Sequence, residues 1–240
     1  MFGRFIGFSV LIILFIVAPS LLADKEAFYS EEITKALEDA GDNRAELDKV
    51  LSYYTSDDDS LKLQAALYLI GNMEGHCYVT YDLIDTIGTP INFNVLDYMD
   101  YTSLTAATDT LEAQYGLLDF KKNEKIYDFD IITSDFLIKQ IDYAFKAWRE
   151  KPWAQNLSFD YFCEYVLPYR GSNEPLEDWR QTFLEKYNSM ESDMIDKTNP
   201  IEAAAIINDD IKSWFGFDPR YYYHPTDQGL SEMVENGLGR

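Results

Sequence analysis

Leu137, Ile141, Ala144, Phe145 and Trp148 fall at i, i+4, i+7, i+8 and i+11. That spacing places them on one face of an α-helix. Pro152 requires the helix to stop ahead of it, because an interior proline removes a backbone hydrogen bond and clashes with the preceding turn. A chain with a face this apolar must bury it, and neighbouring segments offer faces of the same kind. Ser158 can cap a short helix carrying Phe159, Phe162 and Val166, stopped by Pro168. After the polar turn Tyr169–Pro175, Pro175 is expected to open a longer helix with Leu176, Trp179, Phe183, Tyr187 and Met190 on one side. Asn199-Pro200-Ile201-Glu202 combines an N-cap, a proline at the first helical position and a returning glutamate. The helix it starts presents Ala204, Ile207, Ile211 and Trp214 and breaks at Gly216.

Upstream, Asn43 and Glu46 have capping-box spacing ahead of Leu47, Val50, Leu51 and Tyr54. A second helix runs from about Ser60 to the Gly71-Asn72 break, and the two are expected to pair as a hairpin. Residues 75–130 mix β-branched and aromatic residues with turn formers such as Gly88-Thr89-Pro90, and admit one helix near Leu104–Leu118. The fold class expected is mainly α. The aromatic stripes are expected to be core, since 47% hydrophobic and 15% aromatic content over 240 residues is ample for one.

The first residues are of another kind. Arg4 is the sole charge before Asp24, and Phe5–Val17 is an apolar run of signal-peptide length, short for a membrane span. Ala18, Ser20 and Ala23 offer cleavage positions, and an uncleaved anchor is the alternative. The expected location is secreted or periplasmic. The whole chain carries −22; removing residues 1–23 leaves 19 basic and 42 acidic residues, a net −23. With no basic run, nucleic acid and anionic membrane surfaces are excluded as partners, leaving no membrane association beyond the export signal.

Asp57-Asp58-Asp59 lacks the spaced ligands, glycine and closing glutamate of a calcium loop, and two histidines, His76 and His224, do not assemble a zinc site. No metal or cofactor is expected. Cys77 and Cys163 permit one disulfide in an oxidising compartment, while Cys163 shares the stripe of Phe159, Phe162 and Val166 and suits burial. Cys77 follows His76, but neighbours in sequence do not face each other in regular structure, so a catalytic dyad is not expected.

Phe136-Leu137-Ile138, Ala144-Phe145-Lys146-Ala147-Trp148, Lys151-Pro152-Trp153-Ala154, Phe162–Arg170 and Asn173-Glu174-Pro175-Leu176-Glu177-Asp178-Trp179-Arg180 together resemble the helical N-terminal region of secreted bacterial transglutaminase-like proteins. The resemblance covers about residues 40–240, more weakly through Asn72–His76, and departs at Gly171-Ser172, where the family carries a bulkier residue. It implies a papain-like core with a Cys-His-Asp triad, the cysteine starting a helix directly after a glycine-containing turn. Such a helix N-terminus lowers a thiol pKa and offers N–H groups to an oxyanion.

Gly237, Gly239 and Arg240 match the segment leading to that nucleophile, and Trp214 is expected to support it from beneath. On this resemblance every triad residue is expected after Arg240, with none catalytic in the chain itself. The expected division is then an export signal over 1–23, a helical N-terminal domain over 24–198, and the incomplete start of an α+β transglutaminase-like core over 199–240. Residues after about 216 are expected to be loosely packed. The implied activity of the full-length parent is cysteine-dependent amide hydrolysis or acyl transfer on a protein or peptide. The alternative is an exported non-catalytic helical module that presents some of its 18 tyrosines and 4 tryptophans to a peptide or glycan.

Overall fold

The helical stripes find one another. In a computed structural model that describes residues 29–56, 58–224 and 226–239, the chain is mostly helical. The expected export segment lies outside the described residues. Helices α1 (Glu31–Asp39), α2 (Arg44–Thr55) and α3 (Ser60–Gly71) are followed by strand β1 (Cys77–Ile84), α4 (Tyr101–Tyr115) and β2 (Asp119–Tyr127). Then come the single turn α5 (Asp128–Ile131), α6 (Ser134–Glu150), α7 (Phe159–Tyr165), α8 (Trp179–Lys186) and α9 (Pro200–Ile211). Strand β3 (Gly216–Phe217), α10 (Leu230–Asn236) and β4 (Leu238–Gly239) complete the order. β1 pairs antiparallel with β2, from Cys77 opposite Tyr127 to Ile84 opposite Asp119, and β3 pairs in parallel with β4.

The main core is the meeting of α2, α3, α6 and α7. Leu47, Val50 and Tyr54 pack with Ala65, Leu69 and Ile70, and the predicted face of α6 closes over them through Leu137, Ile141, Ala144 and Phe145. Phe162 and Cys163 of α7 complete it, and Trp148 stacks on Phe162 with ring centroids 4.4 Å apart. The α2–α3 hairpin is present as expected. A second, smaller cluster holds Tyr187, Met190, Met194 and Ala203, with Phe183, Ile207 and Trp214 against it. It draws residues from both sides of the 198/199 division.

Three local signals resolve differently from the sequence reading. The Asn43 and Glu46 side chains do not form a capping box. Asn43 Nδ2 instead donates to the carbonyls of Phe129 and Ile132 at 3.0 and 2.9 Å. Glu46 Oε2 accepts from the Ser134 N–H and Oγ, both at 2.7 Å, so α2 lends its carboxylate to the N-terminus of α6, beside the Thr133 cap whose hydroxyl accepts from the Phe136 N–H at 3.2 Å. At its other end α6 is fastened by Arg149, which donates to Asp59 at the start of α3.

Pro175 does not open a helix. Residues 175–178 are irregular and α8 starts at Trp179, because Asp178 is engaged by Gln140 Nε2 at 3.1 Å and Glu177 reaches to α10. In α9 the Asn199 cap forms, but the buried alanine is Ala203 and Ala204 is exposed.

The tail after 216 is tied down rather than loose. Asp218 and Arg220 form a buried ion pair, Arg220 Nη1 donates to the Tyr98 carbonyl, and Tyr221 is only 1% exposed. The chain supplies its own partners here, from α10 and from the loop before α4.

Glu46 makes a pH-dependent contribution of definite sign. Its bond to Lys49, then the Ser134 N–H and hydroxyl, hold its carboxyl down to about 2, below the ordinary value of 4.5. A depressed acid stabilises the fold above its unfolded pKa and ceases to as pH falls through its folded one. Glu46→Gln should therefore lower the urea midpoint at neutral pH. The gap to the parent should be full above about pH 5 and close on acidification from there towards about pH 2.

Candidate functional site

The residues of the 162–180 motif build one rigid bend. α7 ends at Tyr165, and the descending chain is clamped by side chains ten to fourteen positions further on. Arg180 Nη2 donates to the carbonyls of Val166, Leu167 and Pro168 at 2.7, 3.0 and 2.6 Å, and Trp179 Nε1 donates to that of Tyr169 at 2.9 Å. The Gly171–Glu174 turn closes on itself, since the Glu174 carboxylate accepts from the N–H groups of Gly171 and Ser172 at 2.8 and 2.7 Å.

The bend presents Tyr169 and Arg170 to Asp128, whose side chain is fully buried. Asp128 Oδ2 accepts from Tyr169 OH at 3.0 Å and Arg170 Nε at 2.9 Å, and Oδ1 accepts from Arg170 Nη2. The guanidinium thus meets the carboxylate in a two-pronged, charge-assisted pair. His76 Nδ1 lies 3.4 Å from Tyr169 OH, so the network ends in an imidazole. Burial lowers the pKa of His76, with Asp128 opposing and Arg170 assisting, which favours the neutral ring. Burial, then the Asp128 carboxylate, pushes the Tyr169 phenol well up, so it serves as a donor.

Beside this network lies a cavity of about 330 Å³ lined by Tyr68, His76, Cys77, Glu164, Tyr169 and Arg170, among others. The two residues suggestive of thiol chemistry meet here without forming a dyad. Cys77 is buried at the start of β1, and no hydrogen bond joins it to His76, whose Nδ1 faces Tyr169. Cys163 is buried on the core side of α7, and burial followed by Asp160 pushes its thiol up to about 12, the direction opposite to activation. Both cysteines are free thiols. No group of three or more His, Cys, Asp or Glu among the described residues is placed to hold a metal ion.

The predicted C-terminal residues form the second part of the site. Gly237 adopts φ +65°, the left-handed C-cap of α10 that glycine takes without strain. Leu238 and Gly239 then run parallel to β3: the Gly216 N–H donates to the Gly237 carbonyl at 2.8 Å, and the Asp218 N–H to that of Gly239 at 2.7 Å. A β-carbon on Gly239 would stand 2.8 Å from Met233 Sδ and 3.1 Å from a Phe215 ring carbon, so this glycine is a close-approach position. Arg240 lies outside the described residues. Trp214 follows α9 and belongs to the second cluster, stacked on Tyr187 with its Nε1 donating to Asp210 at 3.0 Å. The ring that approaches the terminal glycines is that of Phe215.

Two residues that tie the site together carry no role in the sequence reading. Glu177 accepts from the N–H groups of Leu230 and Ser231, the latter at 2.8 Å, capping α10 from 53 and 54 positions upstream. Asp128 is the other. An acid flanked directly by Tyr127 and Phe129 is the available signal, though Asp130 shares it, because a charge set among apolar neighbours needs a partner.

No family model, curated protein or solved structure matches this chain. Among the described residues, no helix is long and apolar enough to cross a membrane.

Removing one member of a buried ion pair strands the other charge. Asp128→Asn, which leaves Arg170 without its anion, should cost about 3–5 kcal/mol in urea denaturation. Asp178→Asn, altering the partly buried Gln140 contact, should cost well under that.

Proposed function

We propose that this chain is the front portion of an exported transglutaminase-like protein. In the full-length parent, Gly237-Leu238-Gly239-Arg240 would lead into a nucleophilic cysteine acting on amides of a protein or peptide by hydrolysis or acyl transfer. The observation that carries this proposal is the Glu177 carboxylate capping α10. It joins the Asn173–Arg180 motif to the helix whose C-cap is Gly237, linking one of the stretches that carry the resemblance to the terminal turn that the resemblance extends into.

A nucleophile at a helix start is useful only if the backbone that delivers it has little positional freedom. Three restraints act on the delivering segment: the cap from Glu177, the β3–β4 pair and the close packing at Gly239. The bend clamped by Arg180, Trp179 and Asp128 serves in turn as the support for Glu177. Neither Cys77 nor Cys163 is assigned chemistry, and their burial suits structural thiols.

Sequencing the parent reading frame past codon 240 tests the proposal. A cysteine codon is expected immediately after Arg240, with histidine and aspartate codons downstream. An in-frame stop there would overturn it. On the 240-residue chain, iodoacetamide near neutral pH should label Cys163 slowly, and no amide should turn over. Rapid labelling with turnover would transfer the chemistry to a resident thiol. With a stop codon at that place, the second reading takes over, an exported helical module that binds a peptide or glycan. It is favoured by Tyr161 and Tyr165, 60% and 73% exposed, whose rings lie 5.6 Å apart on the outer face of α7.

A further inference from the structure

A half-open cavity of about 250 Å³ is lined by residues of α6, α8, α9 and the 151–157 loop. Its walls are largely apolar and aromatic: Trp153, Trp179, Phe183, Leu184 and Ile207 contribute. Two cations also line it, and they differ in one respect. Lys151 is matched, because its Nζ contacts Glu191 at 3.0 Å and donates to the carbonyls of Tyr187 and Asn188.

Arg180 forms no salt bridge among the described residues. It is 6% exposed, all three of its hydrogen bonds leave from Nη2 to backbone carbonyls, and its Nε is a buried donor with no acceptor. The nearby Asp178 carboxylate accepts from Gln140, and no carboxylate among the described residues forms a salt bridge with Arg180. Burial accordingly lowers the pKa of this guanidinium to about 10, with Asp178 only partly opposing.

An ion taken out of water carries a penalty of several kcal/mol unless an opposite charge meets it, and in a poorly polarisable setting a nearby anion is strongly attracted. The guanidinium lies over the Trp179 ring at 4.6 Å, so an anion reaching it enters between aromatic walls. The cavity has the usual make-up of a small-molecule site, mostly apolar with a few polar groups that set orientation. Its volume suits one ring with a short chain and excludes a folded peptide segment. We propose that this cavity binds a small amphipathic monocarboxylate, with its carboxylate at Arg180 and its apolar body against Trp153, Phe183 and Ile207. The proposal does not depend on the catalytic reading, since none of these groups belongs to the C-terminal turn.

The test uses the full 240-residue chain and three probes: 3-phenylpropionate, its neutral analogue 3-phenylpropanamide, and propionate, which lacks the ring. Binding is read by calorimetry and by the fluorescence of Trp153 and Trp179. Phenylpropionate should saturate one site, with the amide and propionate each at least tenfold weaker. Leu184→Trp and Ile207→Trp, which fill the cavity from α8 and α9 while leaving Arg180 in place, should each weaken phenylpropionate at least tenfold with the helical circular dichroism retained. No saturable binding, equal affinity for acid and amide, or undiminished binding by either folded variant would each overturn the proposal. The comparison of acid with amide decides the matter even if both variants fail to fold.

Discussion

Asp128 is a carboxylate sealed from water, and its demand for donors organises the centre of the molecule. It stands where β2 passes into α5, between the ribbon and the helical core. The donors that satisfy it, Tyr169 and Arg170, come from a bend some forty residues later in the chain. An unpaired charge at this position would be prohibitive, so the bend is held to one conformation. Once the bend is fixed, Arg180 and Trp179 can hold its carbonyls, Glu177 points to α10, and the Gly237 cap and its parallel strand follow. The candidate site is thus a relay of carboxylates and guanidinia laid over an apolar helical base.

That hierarchy explains which parts were legible in the sequence. The faces of α2, α3, α6 and α7 could be read because burial of an apolar stripe depends on spacing along one element. Leu137, Ile141, Ala144 and Phe145 are buried as their periodicity requires. Polar side chains were harder, because a carboxylate three residues from a cap is equally able to cap a helix elsewhere. Glu46 does so for α6, and Glu202 leaves the Asn199 cap to accept from the N–H groups of Ile195 and Asp196 at 2.6 and 3.0 Å. Pro175 misled for a related reason. A proline is compatible with a first helical turn without compelling one, and its neighbours Glu177 and Asp178 have distant partners that hold the segment open.

The terminal glycines were recognisable as a turn, but the reason for each is three-dimensional. Gly237 meets a left-handed cap, whereas Gly239 meets Met233 and Phe215. The order of the tail follows from Arg220, whose partners are Asp218 beside it and the Tyr98 carbonyl 122 positions away. No periodicity announces such a contact. Trp214 is half-buried against a cluster built from α8 and α9, so its partners are set by helix packing and not by the terminal turn.

The fastening of α6 at both ends sets a limit on length. Glu46 grips its first residue and Asp59 grips Arg149 near its last, and both acids belong to the same α2–α3 hairpin. Its 17 residues therefore span a fixed gap of about 25 Å between two anchors. One inserted residue would turn everything beyond it by about 100°, taking Arg149 off Asp59 and swinging the apolar face off the core. Insertions and deletions across relatives of this chain should accumulate in the exposed Thr86–Pro90 turn after β1, while the count from Ser134 to Arg149 stays constant. That helix acts as the gauge against which the two halves of the core are set.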